Sequence, residues 1–230
     1  MEKAIFIQAR SSSTRFPQKM FAHLLPGIEL VQYVYQRCLR SKQAGNVVVL
    51  TSDDKSDDNL AAYCINNNLK VFRGPLDNVL KRFVSAAEFL GVDAIGRVCG
   101  DTPFIDVALI DESFRTLQQY ALDYAAPSRN TCASGFYSET VTAVALKKSL
   151  ELAESKSDLE HVTKYILENI TQFKVMLLDA KLKPAFLETI RFTIDYPEDL
   201  DIGSRIANAL TRGFDFTSQD VIKIIKQLKS

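Results

Sequence analysis

The sequence lacks the residues from which metal–thiolate sites and disulfide frameworks are usually built. It contains only two histidines, and its four cysteines, Cys38, Cys64, Cys99 and Cys132, are far apart with no CxxC pair. Zinc sites and small secreted scaffolds need cysteine and histidine at much closer spacing. We therefore expect reduced, mostly buried thiols and no zinc site.

The chain also lacks an excess of charge and any long hydrophobic run. Its 28 basic residues equal its 28 acidic residues, so its net charge does not favour a nucleic acid as partner. The first apolar run, residues 4–7, stops before Gln8 and Arg10 and is too short for a signal peptide or a membrane span. With 230 residues, 47% of them hydrophobic, the sequence predicts a single soluble domain over residues 1–230, in the cytoplasm and away from membranes.

Short apolar runs alternate with amphipathic segments through the first half of the chain. The strands are expected over residues 4–8, 47–51, 70–72 and 93–98, and the helices over 29–41, 57–67, 77–90 and 107–120. Such alternation is typical of βαβ units, in which helices cover both faces of a parallel sheet. The pattern predicts an α/β fold, a three-layer sandwich around a mostly parallel sheet.

The second half has a different character. Residues 124–138 are rich in Ser, Ala, Asn and Gly and carry little charge, which predicts an irregular segment. Strands are then expected over 140–146, 173–178 and 189–194, and helices over 159–169, 197–210 and 218–228. We expect residues 135–184 to form a small subdomain, inserted into the sheet or used for dimer contact.

The segment from Gln8 to Lys19, after the first predicted strand, carries three cations and no acidic residue. Arg10 and Arg15 enclose four consecutive hydroxyl residues, and Lys19 follows. Parallel α/β sheets bind ligands at the carboxyl ends of their strands, and guanidinium and ammonium groups match phosphate oxygens. We interpret the segment as a cradle for a triphosphate, with an exposed, solvated loop as the alternative. It is neither a Walker A loop nor a GxGxxG loop.

Two aspartates each follow a predicted strand. Asp101 lies just after Gly100, and Asp195 comes before the helix that starts at Pro197. Two carboxylates facing a basic loop can hold Mg²⁺, which keeps several waters and needs only one or two protein ligands. The alternative is that each aspartate caps a helix, which is the commoner role for this residue type.

Three other groups of residues carry weaker signals. The acidic run of Asp53, Asp54, Asp57 and Asp58 is best interpreted as a solvated helix start. The turn Arg73-Gly74-Pro75 and the following Arg82 can reach a nucleotide. The third group has two alternative roles, as charges at the start of a helix or as contacts with an acceptor. Its members are Asp158, Glu160 and His161.

An ordered set of short motifs runs almost from end to end of the chain. It begins with Gln8-Ala9-Arg10, Ser13-Thr14-Arg15, Pro17 and Lys19. It continues with Thr51-Ser52-Asp53-Asp54, Phe72-Arg73-Gly74, Asp77, Val79-Leu80, Arg82, Gly100-Asp101, Pro103, Ile105-Asp106, Glu160-His161-Val162-Thr163, Arg191, Thr193, Asp195 and Pro197-Glu198-Asp199-Leu200. In this order the motifs resemble the cytidylyltransferases of the spore-coat-polysaccharide type, relatives of the CMP-acylneuraminate and CMP-Kdo synthetases, whose opening motif has the form QARxGSTRxPxK. Ser12 stands where that motif has glycine, Gln18 where the family often has another, and Leu159 where an arginine usually precedes Glu-His-Val-Thr.

The resemblance implies a Rossmann-like sheet of the nucleotide-diphospho-sugar transferase type, CTP as substrate, Mg²⁺ as cofactor and a homodimer. By this resemblance, the catalytic residues are Arg10, Lys19, Asp101 and Asp195, and the last two are the metal ligands. Nucleotide binding falls on Gln8, Ala9, Arg10, Ser12, Ser13, Arg15, Lys19, Arg73, Gly74, Asp77, Arg82, Gly100 and Asp101, and acceptor binding on Glu139, Glu160 and His161.

The reaction that follows is attack of an acceptor oxygen on the α-phosphorus of CTP with loss of pyrophosphate. The small-molecule acceptor is an acidic sugar, a sugar phosphate or a related phosphorylated or phosphonate metabolite. A glycosyltransferase of similar fold that uses a nucleotide sugar is one alternative. It is opposed by the basic loop and by the position of the one Asp-x-Asp, Asp199-Leu200-Asp201, inside a predicted helix. The other alternative is a non-catalytic nucleotide-binding relative. It is suggested by the departures from the family motifs at Ser12, Gln18 and Leu159.

Overall fold

The computed structural model describes residues 1–187 and 190–229. The strands are β1 (Lys3–Gln8), β2 (His23–Leu25), β3 (Ile28–Glu29), β4 (Asn46–Ser52), β5 (Val71–Gly74), β6 (Ala94–Cys99), β7 (Tyr124–Pro127), β8 (Glu139–Thr142) and β9 (Val175–Leu178). The α-helices are α1 (Leu30–Cys38), α2 (Asp58–Asn66), α3 (Val79–Leu90), α4 (Val107–Gln119), α5 (Ala143–Leu152), α6 (Lys156–Glu160), α7 (Lys164–Glu168), α8 (Pro197–Ala209) and α9 (Ser218–Lys229).

Over the described residues, seven strands form one sheet in the order β5-β4-β1-β6-β8-β7-β9. Strand β8 pairs antiparallel with both of its neighbours, and the other pairs are parallel. Ile5 at the centre of β1 lies between Val47 of β4 and Gly96 of β6. The mostly parallel α/β sheet predicted from the sequence is confirmed, and β2 and β3 add a small hairpin beside it.

Both faces of the sheet are covered, which makes the fold a three-layer sandwich. Successive residues of a strand point to opposite faces. Ile5 and Ile7 accordingly belong to one buried cluster, with residues of α1, α4 and α9, and Ala4 and Phe6 to a second, with residues of α3 and α5. Since all four are fully buried, β1 is a central strand, and its carboxyl end lies in the middle of the sheet edge.

Four predictions for the second half of the chain were wrong in part. Residues 124–127 form β7 instead of an irregular segment, and the strand expected over 140–146 ends at Thr142, whose hydroxyl caps α5 by accepting from the Ala145 N–H at 3.1 Å. The helix expected over 159–169 is divided into α6 and α7. Of the strand expected over 189–194, Thr189 lies outside the described residues and residues 190–194 form no strand.

Residues 135–184 supply β8 and β9 to the main sheet, with α5, α6 and α7 outside it. Their role in dimer contact or acceptor binding stays a prediction. Among residues 1–187 and 190–229, no helix is both long enough and apolar enough to cross a membrane.

Candidate active site

The predicted basic loop leaves the carboxyl end of β1 at the centre of the sheet. The Ala9 N–H still donates to the Leu50 carbonyl at 3.0 Å, which fixes the start of the loop beside β4. A cleft of about 370 Å³ opens here. It is lined by Gln8, Ala9, Arg10, Ser12, Ser13, Thr14, Arg15, Lys19, Met20, Cys99, Gly100 and Asp101. Nine of the residues predicted to bind nucleotide therefore meet at one surface.

Close packing between the loop and β6 depends on Gly100. A Cβ at this position would lie 2.9 Å from Met20 Sδ and 3.1 Å from the Cβ of Ala9. Both distances are shorter than an ordinary contact, so a larger residue would push the loop away from Asp101.

The loop folds back on itself around one carbonyl group. Ser11 O accepts from the N–H groups of Ser13 and Gln18, at 3.1 and 3.3 Å. Gln18 reaches this position in the left-handed region, with φ 60° and ψ 20°, a conformation that glycine adopts most readily. The backbone here thus explains why a glycine suits this position, where the chain has glutamine.

Asp101 and Asp195, 94 positions apart in the sequence, lie on either side of one ammonium group. Lys19 Nζ is 2.6 Å from Asp101 Oδ2 and 3.6 Å from Asp195 Oδ1, and it also donates to the Ile194 carbonyl at 3.0 Å. The side chains of Lys19, Asp101 and Asp195 are only 10%, 24% and 18% exposed. The predicted meeting of the two carboxylates with the basic loop is present in the structure.

Arg15 adds a second cation at Asp195. Its Nη2 lies 2.6 Å from Asp195 Oδ1, while the Thr193 hydroxyl donates to Oδ2 at 2.7 Å. Burial opposes ionisation of Asp195, but the Thr193 hydrogen bond and the charges of Lys19 and Arg15 outweigh it and lower the pKa of this carboxyl. The carboxylate is therefore held in its charged form.

Asp195 reaches the site from an irregular segment and not from a strand end. The Ile194 N–H donates to the Asp101 carbonyl at 2.8 Å, which joins this segment directly to the turn after β6. Asp199 Oδ2 accepts from the N–H groups of Asp195 and Tyr196 at 2.9 and 2.8 Å. Asp199 thus caps α8, which leaves Asp199-Leu200-Asp201 a helix-start sequence, as expected.

A buried polar chain connects the loop to β8. Arg97 donates to Gln8 Oε1 at 3.1 Å and to Glu139 Oε2 at 2.5 Å, and Glu139 Oε1 accepts from the hydroxyls of Tyr124 and Thr163 at 3.0 and 2.9 Å. Burial alone would raise the pKa of Glu139, but Arg97 and the two hydroxyls lower it. Glu139, predicted to bind the acceptor, is 3% exposed and has both oxygens engaged.

Glu160 and His161, the other predicted acceptor residues, are exposed at the end of α6. Within the described part of the chain, the contact that links their motif to the polar chain is the one from Thr163 to Glu139. The structure therefore brings Thr163, and not Glu160 or His161, to this chain.

The remaining predicted nucleotide residues lie on β5, in the turn after it and in the first turn of α3, outside the described lining of the cleft. Arg73 donates to Ser52 O at 2.8 Å, Asp54 O at 2.9 Å and Asp58 Oδ1 at 2.7 Å, and so braces the turn after β4. Asp77 is exposed.

Arg82 is fully buried, and a Cβ at Gly74 would lie 2.9 Å from its Cγ. Its Nη2 donates to the Pro75 carbonyl at 2.7 Å, whereas Nη1 is buried without a hydrogen-bond partner among the described residues. Since Nη1 is shielded from solvent, Arg82 stabilises the turn at Pro75 in this structure.

The prediction of a solvated acidic run is wrong for Asp57, a residue that the sequence does not single out. Asp57 is fully buried, and its Oδ1 accepts from the Ser11 N–H at 2.7 Å. Its Oδ2 accepts from the Ser52 N–H at 3.0 Å and the Ser52 hydroxyl at 2.5 Å. In the sequence, Asp57 is distinguished from its neighbours only by its position one turn before the apolar face of α2.

A second cleft of about 310 Å³, also missed, lies on the β7 side of the sheet. Its lining includes Arg129, Ser134, Tyr137 and Lys183. Burial raises the pKa of Tyr137, and Arg129, Glu139, Cys99 and Arg97 are the charged and titratable groups around its hydroxyl. Arg129 lies over the ring of Tyr137, 5.3 Å from its centroid, and its Nη2 is 3.8 Å from Glu139 Oε1. This cleft therefore adjoins the polar chain that reaches Gln8 in the first cleft.

Comparison with known proteins agrees with this geometry. The spore coat polysaccharide biosynthesis protein SpsF of Bacillus subtilis (strain 168) is 32% identical over 96% of this chain and 92% of its own. A 3-deoxy-manno-octulosonate cytidylyltransferase of Geobacter sulfurreducens is 32% identical over 52% of this chain and 46% of its own. A solved cytidylyltransferase from Leptospira borgpetersenii superposes with a TM-score of 0.89 over 100% of this chain and 95% of its own, at 29% identity. The cytidylyltransferase family model matches residues 4–228. The chain therefore belongs to the cytidylyltransferase family and is a CTP-dependent nucleotidyltransferase.

Proposed function

We propose that the protein is a Mg²⁺-dependent enzyme that transfers CMP from CTP to an anionic small-molecule acceptor and releases pyrophosphate. The acceptor class is an acidic sugar, a sugar phosphate or a phosphonate, used to build a surface polysaccharide or glycoconjugate. The observation that carries the proposal is the meeting of Lys19 with both Asp101 and Asp195 at the carboxyl end of β1 and β6.

The loop supplies the groups that a triphosphate needs. Arg10, Arg15 and Lys19 face one cleft, and Ser12 and Ser13 line it between them. Cations placed in this way hold the β- and γ-phosphates and orient the leaving pyrophosphate as the acceptor oxygen attacks the α-phosphorus. Because Lys19 is nearly buried, its charge acts on the phosphates with little screening by water.

Asp101 and Asp195 fit a magnesium ion. Their oxygens approach one ammonium nitrogen to within 2.6 and 3.6 Å, so a single small cation can be reached by both. Carboxylates, together with water and phosphate oxygens, are the ligands that Mg²⁺ prefers, and two from the protein are sufficient. When bound, Mg²⁺ neutralises negative charge on the phosphate groups. Burial opposes ionisation, but the Thr193 hydrogen bond and the neighbouring cations lower the pKa of Asp195, so its oxygens are ready to bind a cation without losing a proton.

The second cleft suits an anionic acceptor. Arg129 and Lys183 supply positive charge, and Ser134 and Tyr137 supply hydroxyl groups. Arg129 connects this cleft to the first one, because it pairs with Glu139 at 3.8 Å and Glu139 is bonded to Arg97, which donates to Gln8 in the first cleft. Glu139 is 3% exposed, which makes it a structural neighbour of the acceptor more than a direct contact.

A homodimer and a cytoplasmic location complete the proposal. Strand β9 is the outermost strand of the sheet, and Leu177 on it is 56% exposed. An apolar edge strand is commonly covered in the native assembly. Light scattering on the purified protein tests this part: a mass of one chain would contradict it.

The main test is a reaction with CTP, Mg²⁺ and a panel of 3-deoxy keto-acid sugars, sugar phosphates and phosphonates, followed by release of pyrophosphate and by detection of the CMP-linked product. Asp101→Asn should lower turnover about a hundredfold or more, since it removes the carboxylate charge that would hold Mg²⁺ and that positions Lys19. Asp201→Asn, on the exposed face of α8, is the matched control and should leave turnover unchanged.

Membership of the cytidylyltransferase family opposes both alternatives raised from the sequence, and the same assay tests them. A nucleotide-sugar glycosyltransferase would release no pyrophosphate, and a non-catalytic relative would bind CTP without releasing pyrophosphate with any acceptor. Thermal shift with the four nucleoside triphosphates and Mg²⁺ determines the donor; equal shifts with all four would contradict selectivity for CTP.

A further inference from the structure

We propose that Asp57 is a positioning residue for nucleotidyl transfer: it fixes the Arg10–Ser13 segment in the shape that receives the β- and γ-phosphates. The inference rests on the proposed function of the basic loop. It concerns a residue that makes no contact with substrate itself, and acts on the loop from behind.

The carboxylate of Asp57 adds a side-chain link beyond the ends of β1 and β4, two strands that already pair in parallel. Oδ1 accepts from the Ser11 N–H at 2.7 Å across 46 residues of sequence, and Oδ2 accepts from the backbone and hydroxyl of Ser52 at 3.0 and 2.5 Å. These bonds tie the second residue after Ala9 to the last residue of β4. The loop is therefore held at Ser11, next to the hydroxyl residues that line the cleft.

Asp57 makes these bonds in place of the role expected from its sequence position. It is the residue before α2, where an aspartate usually caps the helix by accepting from an N–H of the first turn. In the described structure its side chain makes no such capping bond. Its two oxygens instead accept hydrogen bonds from the loop and from β4, and the start of α2 lacks a stabilising capping bond from this side chain.

Charge supports the same conclusion. Burial lowers the pKa of the fully buried Arg82, and the like charge of Arg10 lowers it further, whereas Asp57 and then Asp53 raise it. A buried carboxylate behind the loop thus offsets two guanidinium groups that would otherwise repel each other. Burial opposes ionisation of Asp57, but the hydrogen bonds from Ser52 and Ser11 lower its pKa, so it is charged at neutral pH.

The test compares how tightly CTP and CMP bind, because only CTP has the β- and γ-phosphates. In Asp57→Asn the side chain keeps its shape but loses one acceptor and its charge. We expect the ratio of CTP to CMP affinity, measured by titration calorimetry with Mg²⁺, to fall about tenfold.

Two controls separate positioning from general destabilisation. Asp54→Asn changes an exposed residue of the same turn, whose carboxylate accepts from the Ser56 N–H, and should leave the ratio within about twofold of wild type. Ser52→Ala removes a hydrogen bond from the other oxygen of Asp57 and should lower the melting temperature while it leaves the ratio unchanged. If Ser52→Ala lowers the ratio as much as Asp57→Asn does, or if Asp57→Asn leaves it unchanged, the positioning role is wrong.

Failure of the proposed function would be distinct, because wild-type protein would then bind CTP no more tightly than CMP. If Asp57→Asn does not fold, amide hydrogen exchange on the wild-type protein decides. The Ser11 amide, bonded to a buried carboxylate, should exchange far more slowly than that of the exposed Ser12. Equal exchange at the two amides would overturn the proposal.

Discussion

Replacement of Lys19 by methionine probes the centre of the site directly. The substitution keeps the length and most of the apolar stem of the side chain but removes the ammonium group. Asp101 and Asp195 then face each other without the cation that lies 2.6 and 3.6 Å from them, and the Ile194 carbonyl loses a donor at 3.0 Å. The variant should therefore be less stable when no divalent ion is present.

The size of the effect follows from the burial of the three side chains. A hydrogen bond to a charged group contributes about 1.5–3 kcal/mol, and breaking a fully buried ion pair costs about 3–5 kcal/mol. Here the side chains are 10–24% exposed, and Arg15 still neutralises Asp195 at 2.6 Å. Both of these energies are therefore smaller at this site. We expect a loss of about 2 kcal/mol, which for a chain of this size lowers the melting temperature by about 4–8 °C.

The assay is thermal unfolding in EDTA and at increasing Mg²⁺, with Lys42→Met, at an exposed position, as the control. Lys19→Met removes the cation from Asp101 and one of the two cations from Asp195. Mg²⁺ should therefore stabilise this variant more than wild type and narrow the difference in melting temperature. Turnover should still fall about a hundredfold or more, since a cation that acts on the phosphates is gone. A variant that melts with wild type in EDTA, or that gains no more from Mg²⁺ than wild type does, would refute the reasoning.

Three further results are expected. Gly100→Ala should lower the free energy of unfolding by about 1–3 kcal/mol, because the added Cβ meets Met20 Sδ at 2.9 Å; an unchanged urea midpoint would contradict the close packing. Gln18→Gly should raise the free energy of unfolding by about 0.5–1 kcal/mol, since the φ of 60° suits glycine, and should leave pyrophosphate release unchanged. A lower free energy of unfolding would show that the glutamine side chain is needed. Asp57 and Glu139 have pKa values lowered from 3.8 and 4.5, so the stability they provide is complete above the unfolded-state pKa and is lost as pH falls through the folded-state pKa. The free energy of unfolding, measured in urea, should thus fall below about pH 4, and it should fall less in Asp57→Asn than in wild type. Parallel curves of this free energy against pH for the two proteins would contradict the prediction.

Local pattern predicted the first half of the fold because its strands are buried on both faces and read as plain apolar runs. It failed where two signals overlap. Residues 140–146 alternate as a strand would, but Thr142 stops the strand by capping α5. Residues 190–194 are apolar enough for a strand, yet their backbone donates to Asp101 instead of to a neighbouring strand. Neither outcome is visible in a window of a few residues.

The site shows the same division. The motifs predicted that Arg15, Lys19, Asp101 and Asp195 belong together, since parallel strands end at one edge of the sheet. They could not predict Asp57, because four neighbouring aspartates look alike in sequence and only the fold places one of them under Ser11.

The contact between Ile194 and Asp101 also sets an order of events during synthesis. A chain that has emerged from the ribosome only as far as about residue 190 already contains the basic loop and Asp101. The Ile194 N–H, which donates to the Asp101 carbonyl in the turn after β6, has not yet emerged. The second carboxylate and the carbonyl that receives Lys19 arrive with the same short segment. The cluster of Lys19, Asp101 and Asp195 therefore forms in one step, late in translation. A message cut short before that codon encodes all seven strands of the main sheet but not Asp195.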